Sequence, residues 1–247
     1  EFPSIAVIVV ESDRVVIYDG DDPNLPMWMI FKNAGQVGAA SNMLTAGASG
    51  QTNTCVHALN GDMVVGVNRT AGASEGLFRI NFISERAIIY RTEASGYTAS
   101  RWSSNIKDRN LVTTGSSQTA SNAIAYWEDN DLEDIRDLQV NDVSMVVERN
   151  APLDEISGLP IPTVGAATTT AVNIILPYVG DRNTGPITIK LMPEDISAYD
   201  AIKSMEAIDF DEDGRCIWTT RQTGSAFRNI VVTARPASNF ADIAANY

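Results

Sequence analysis

The sequence predicts an all-β protein, and three observations carry that prediction. Apolar or β-branched runs of about five residues recur along the chain, separated by short polar turns. Windows with apolar residues at helical spacing and matching caps are almost absent. One Asn-Gly pair, Asn60-Gly61, stands between two apolar runs, which is a strong short-range hairpin signal.

Each element follows from its residues. Ser4–Val10 and Arg14–Tyr18 flank the turn Glu11-Ser12-Asp13, and Met27–Phe31 follows a Pro-bounded loop. Cys55–Leu59 and Met63–Val67 surround Asn60-Gly61, and Leu77–Ile83 and Ala87–Arg91 surround Ser84-Glu85-Arg86. Asn141–Val147, Thr163–Ala167, Ala171–Leu176, Ile187–Leu191, Ala207–Phe210, Cys216–Thr220 and Asn229–Thr233 continue the series. Helix is expected only as a surface segment over Asp195–Ala207 and a short one at Phe240–Ala245. The acidic 128–137 run and the Ser/Thr/Gly-rich stretches 34–54 and 113–123 are expected to be surface loops.

A coarser period groups these strands. Residues 58–66, 76–82 and 87–90 make one unit, and Val140–Val147, Pro162–Ala167 and Val172–Leu176 make another. A third unit runs from Ala207 to Thr233, and Ile5–Phe31 reads as a further partial one. Four-stranded units repeating every 40–50 residues are the mark of a β-propeller, and the length accommodates about five blades. A two-sheet β-sandwich is the alternative, though it does not require the recurring Val-Gly and Gly-Leu pattern. The expectation is a single propeller domain spanning 1–247, or a fragment of one. Glu1-Phe2 is what an EcoRI junction encodes, so these residues are expected to be a cloning remnant on a piece of a longer chain.

Composition excludes several functions. The chain has 247 residues, with 18 Lys+Arg against 31 Asp+Glu, a net charge of −13. Such a chain lacks the cations that replace phosphate counterions, so no nucleic-acid partner is expected. A single His and two Cys leave no His-based zinc site and no disulfide scaffold. Cys55 and Cys216 lie in strand-like runs and read as buried free thiols. No stretch reaches the roughly 20 apolar residues of a membrane helix.

Three stretches carry a resemblance: NGDMVVGVNRTAGASEGLFRINFISERAIIYRT (60–92), IKDRN (106–110) and VNDVSMVVERNAPLDEISGLPIPTVGAATTTAVNII (140–175). With IYDGDDPNLPMWMIF (17–31), they resemble virion proteins of marine tailed bacteriophages of the tail-fibre-like kind. The resemblance covers about the first 180 residues, and its motifs are structural rather than catalytic. It implies a phage-tail location, a host-surface glycan or other virion proteins as partners, and no assigned active site. The chain departs from the family at Thr168-Thr169-Thr170-Ala171, where a Thr-Asp-Gly-Gly turn is usual, so a less tight hairpin is expected there.

Candidate sites are few. Asp209-Phe210-Asp211-Glu212-Asp213-Gly214 has alternating carboxylates that can wrap Ca²⁺, but Thr220 stands where an EF-hand needs Glu. A hairpin with outward acids explains the run better, and Asp19-Gly20-Asp21-Asp22-Pro23-Asn24 reads as a turn in the same way. No catalytic residue, metal ligand or required cofactor is assigned, and Ca²⁺ is the ion that the Asp-rich turns could take. His57, the single His, lies on an apolar run and reads as a core residue, and no Gly-x-Ser-x-Gly elbow supports a triad. Asn141 and Asp142 open an inner strand, where they would face a propeller channel and hold a cation for a hydrolase, or simply cap the strand. Trp102 and Trp127, both in polar surroundings, are the candidate glycan-contacting residues. The function expected is a non-enzymatic virion component that binds a host surface or another virion protein. The alternative is a lactonase-like, phosphotriesterase-like or glycan-active hydrolase with a divalent cation in its channel. A homo-oligomer is expected from the open edge of a partial propeller.

Overall fold

A computed structural model describes residues 3–32, 40–46, 51–69, 75–91, 100–103, 106–110, 113–114, 125–128, 135, 137, 139–177, 189–192, 202–222 and 228–236. The protein is all-β, built of several small antiparallel sheets. The first sheet is a meander of β1 (Ala6–Glu11), β2 (Arg14–Asp19) and β3 (Met27–Lys32). A small sheet joins β4 (Ala40–Asn42), β5 (Thr45–Ala46) and β11 (Thr113–Thr114), in the order β11-β4-β5. The second large sheet has β6 (Gln51–Leu59), β7 (Asp62–Arg69), β8 (Glu75–Asn81), β9 (Arg86–Arg91), β10 (Ser100–Ser103) and β12 (Ala125–Glu128), with β6 and β12 at its edges. The third has β13 (Val140–Val146), β14 (Thr163–Thr168), β15 (Val172–Ile175) and β16 (Ile189–Met192). The fourth has β17 (Ile202–Phe210), β18 (Arg215–Gln222) and β19 (Arg228–Pro236).

These large sheets stack face on face, and strand alternation decides which residues enter each seam. Val65 pairs with Phe78 and Met63 with Ile80, so these four share the second-sheet face that meets Val15, Ile17 and Phe31 of the first sheet. Val64, Leu77, Ile88 and Tyr90 occupy the opposite face and meet Val143, Met145 and Val164 of the third sheet. The third sheet repeats this arrangement. Ala167, Val172 and Ile174 point the other way, onto Met205, Ile208, Cys216 and Trp218 of the fourth sheet. Their strands therefore read as nearly continuous apolar runs, as strands covered on both faces do. The first strands of successive sheets are also neighbours, since β1 packs on β6, β6 on β13, and β13 on β17.

The recurring Val-Gly pairs have a packing role. A Cβ on Gly66 would collide with the Cys55 sulfur and with a Val140 methyl reaching across from the third sheet. One on Gly165 would lie 2.5 Å from Ile208 Cδ1 and 2.8 Å from Phe210 Cζ of the fourth sheet. Glycine in the second strand of a sheet thus lets the next sheet close in.

Several expectations need correction. Only one described sheet has four strands, and the second is a six-stranded sheet, so the units are not uniform four-stranded blades. Of the helix expected over Asp195–Ala207, the described part, Ile202 onward, begins β17, because pairing with β18 overrides local helical spacing. The Phe240–Ala245 helix lies outside the described residues. The stretches read as loops contain β4, β5 and β11, and Met43 and Leu44 between β4 and β5 are fully buried in the first core. The hairpin at Thr168–Ala171 is tight without Asp-Gly: Thr168 N and Oγ1 both donate to Ala171 O at 2.8 Å, and Ala171 N donates to Thr168 Oγ1 at 3.1 Å.

Candidate functional site

A groove of about 560 Å³ runs along the neighbouring strands β1 and β6. Ile8, Ile17, Val56 and Phe82 supply its apolar lining, while Ser4, His57 and Asn60 supply polar groups. At one end of the groove the Asn60-Gly61 turn closes the β6–β7 hairpin, with both residues at positive φ (52° and 78°). Near the other end, Asn53 N donates to Ser12 O and Asn53 Nδ2 to Glu11 O, each at 3.1 Å. Two-residue turns with both φ positive match the twist of the strands they join. Ser4 is placed by Asp21, whose two carboxylate oxygens accept from Ser4 N and Ser4 Oγ at 2.6 Å. The Ser4 hydroxyl and N–H hold the exposed Asp21 carboxyl below the usual carboxylate range.

His57 is half-buried on the β6 face that looks toward the third sheet, and it also lines the groove. Burial lowers its pKa, while the carboxylates of Asp209 and Asp142 pull it back up. Burial raises the Asp142 pKa, against the N–H groups of Ile208 and Val143 that stabilise its charge. The first strands of the second, third and fourth sheets therefore bring His57, Asp142 and Asp209 within electrostatic reach of one another.

Both acids are engaged structurally. Asp142 Oδ2 accepts from Ile208 N at 2.9 Å, and Asp209 Oδ1 accepts from Ser144 Oγ at 3.0 Å and Phe210 N at 2.8 Å. Asn141 Nδ2 donates to Met205 O at 2.6 Å. Asn141 and Asp142 thus tie the third sheet to the fourth. Among the described residues no group of three His, Cys, Asp or Glu is placed to hold a metal ion.

The acidic runs behave as turns. Asp211 Oδ1 accepts from Asp213 N at 3.0 Å and Arg215 N at 2.9 Å, and its Oδ2 accepts from Arg215 Nε at 2.6 Å. Gly214, at φ 77°, completes that hairpin. Asp22 Oδ1 accepts from Asn24 N at 2.8 Å, and Asp19 Oδ1 from Asp21 N at 2.9 Å.

Trp102 and Trp127 come together on paired strands. Trp102 is registered with Tyr126, and Trp127 with Arg101. Their side chains lie outside the described residues.

Two features escaped the sequence reading. Asp62, Arg79 and Asn81 form a buried network, in which Arg79 Nη2 donates to Asp62 Oδ2 at 2.7 Å and Asn81 Nδ2 donates to Asp62 Oδ1 at 2.9 Å. Burial works against the guanidinium charge, but the Asp62 carboxylate more than offsets it and holds Arg79 protonated. The alternation Asp62, Arg79, Asn81 on strands β7 and β8 was visible, but charge on a core face has no local signature. The other feature is the role of the 106–110 motif. Arg109 Nε and Asn110 Nδ2 donate to Ile30 O at 2.6 and 2.9 Å, and Lys32 N donates to Asn110 Oδ1 at 2.8 Å. The Arg109 guanidinium also lies over the Phe31 ring, 5.5 Å from its centroid. These contacts cap the outer edge of β3.

No protein-family model matches the chain, and no curated protein matches it. No helix among the described residues is long and apolar enough to cross a membrane.

Proposed function

We propose that the chain is a propeller-like, non-enzymatic binding component of a phage tail. What supports the propeller reading is the adjacency of the first strands, β1 to β6 to β13 to β17, with each sheet running outward from that line. What supports binding without turnover is the state of the groove's chemistry. The apolar lining and the Asn60, Ser4 and His57 groups can recognise a ligand, while Asp142 and Asp209 are occupied by hydrogen bonds that hold two sheets together. Host-surface glycan is the first partner to test, with Trp102 and Trp127 of the β10–β12 ribbon as the candidate contacts. Other virion proteins are the next.

The rival reading is a hydrolase with a channel cation held by Asp142 and Asp209. The two readings separate in one experiment. The full chain is offered to a glycan array, to host cells, and to ester, lactone and glycoside panels with and without chelator. Saturable binding that chelator does not change, without product, is the expected result. Chelator-sensitive turnover that disappears in Asp142→Asn would replace the proposal with the hydrolase.

A further inference from the structure

The groove lies between two strand edges, and the register shows which backbone groups point into it. Ser12-Asp13 is a two-residue turn, so Glu11 and Arg14 form a hydrogen-bonded pair, and alternation makes Val9–Val16 and Val7–Tyr18 the next ones. Ile5 O accepting from Gly20 N at 2.8 Å continues that alternation. The N–H and C=O groups of Ala6 and Ile8 therefore point away from β2. In β6, the Asn60-Gly61 turn makes Leu59–Asp62 and His57–Val64 the hydrogen-bonded pairs, so the backbone groups of Val56 and Ala58 point away from β7. Asn53 N, beyond the bulge between Asn53 and Cys55, also points outward and donates to Ser12 O at 3.1 Å. Ala6, Ile8, Val56 and Ala58 all line the groove. The two edges thus meet at Ser12 and Asn53 and part along the groove.

The other first strands have their outward backbone groups engaged. Thr54 Oγ1 donates to Val140 O of β13 at 2.7 Å, and on β17 Met205 O accepts from Asn141 Nδ2 while Ile208 N donates to Asp142 Oδ2. Among the described residues no such bond reaches the outward groups of Ala6, Ile8, Val56 or Ala58. A row of unpaired N–H and C=O groups is a template for another strand. Ala58 is exposed, whereas Ala6 and Ile8 are half-buried with their side chains on the first core, so the β6 edge is the more accessible of the two.

The flanks of the groove set the side chains that an added strand would carry. Val56 and Ile8 pack on the first core, with Ile17 and Phe82 beside them, so every second residue of such a strand meets hydrocarbon. His57 looks to the other face, in the field of the Asp142 and Asp209 carboxylates, which suits polar or cationic residues in between. A sugar finds no open ring face to stack on, because Phe82, the aromatic residue of the lining, is buried in the first core. We propose that the groove binds an extended segment of another protein, its apolar residues alternating with polar or basic ones, which adds to the β6 edge of the second sheet as a further strand. The proposal rests on the binding reading of the groove and names polypeptide as the class of its ligand.

A random library of displayed octapeptides, selected on the full chain, supplies the probe. The best binder is synthesised with one backbone N-methyl group at each position in turn, and binding is read by fluorescence anisotropy. N-methylation is expected to weaken binding about tenfold at alternate residues and little between them. Ala58→Pro removes an outward donor and no β6–β7 bond, which an edge strand tolerates. It should melt like the wild type and bind the peptide about tenfold more weakly. If Ala58→Pro does not fold, amide hydrogen exchange of the wild type replaces it, and Val56 and Ala58 are expected to gain protection when the peptide is added. A library that enriches no peptide, N-methyl effects without alternation, a folded Ala58→Pro that binds like the wild type, or protection that bypasses Val56 and Ala58 would each overturn the proposal. Host-cell and glycan binding are measured on the same samples. A wild type that binds host cells but enriches no peptide sinks this inference and spares the functional one, and peptide binding without host or glycan binding does the reverse.

Discussion

The seam between the first and second sheets and the seam between the third and fourth are held by different physics. Val15, Ile17, Phe31, Val65, Phe78 and Ile80 fill the first with hydrocarbon and rings. There Phe82 meets Phe31 and Trp28 edge-on, with centroids 6.1 and 6.2 Å apart. The other seam has a smaller core around Ile208 and Trp218, and there Asn141 and Ser144 donate to Met205 O and Asp209 of the fourth sheet while Asp142 accepts from Ile208 N. Apolar packing supplies energy without direction, whereas side chain to backbone bonds specify register. The seam with less apolar contact has three residues bonding across it, whereas Asn53 alone ties β6 to the Glu11-Ser12 turn of the first sheet.

The comparison can be broken by mutation, and the largest effect belongs to the apolar seam. Phe31→Ala is expected to destabilise by about 3–5 kcal/mol in urea titration, because a fully buried ring leaves a cavity. A loss below about 1 kcal/mol would show that the first seam is loosely packed. Gly165→Ala forces Ile208 and Phe210 aside and should cost about 1–3 kcal/mol. Pairing it with Phe210→Leu should recover part of that loss, which a purely backbone effect would not allow. Asp142→Ala strands the Ile208 N–H and is expected to cost about 1–3 kcal/mol, whereas Asp142→Asn keeps an acceptor and should cost less.

The smallest effect is a pH dependence. Burial lowers the His57 pKa in the folded state, so the unfolded chain takes up the proton first as pH falls. Stability should therefore decline as pH drops through about 6.5 toward the lowered His57 value. His57→Gln should flatten that decline. Because His57 is the single His, its ring proton signals in NMR report the folded pKa directly, and a midpoint above 6.5 would contradict the burial argument.

Much of the fold was legible because the strand signals are local. Asn60-Gly61 specified its hairpin, and the Val-Gly pairs marked the positions where the sheets approach. Elements that depend on distant partners were not legible. The Ile202–Ala207 segment is a strand because β18 lies beside it, and Met43 and Leu44 turn inward because the first core is there to receive them. The site was legible only in part. Asn141 and Asp142 were found, but their partners, Met205 and Ile208, lie more than sixty residues away, and spacing gives no hint of the bonds that occupy them. His57 was read as a core residue but is only half-buried, because the groove it lines is formed with β1 from the start of the chain.

The two thiols sit in different cores. Cys55 lies under Gly66 beside the second core, with burial pushing its pKa to about 11, and Cys216 is fully buried in the third, pushed to about 12. A thiol that stays protonated and covered reacts with an alkylating reagent only when its surroundings part. Cys216 is thus a clock for the seam between the third and fourth sheets, with the partly buried Cys55 as its internal reference. Mass spectrometry of the two labelled peptides from a single sample would time that opening against the reference, without any engineered probe.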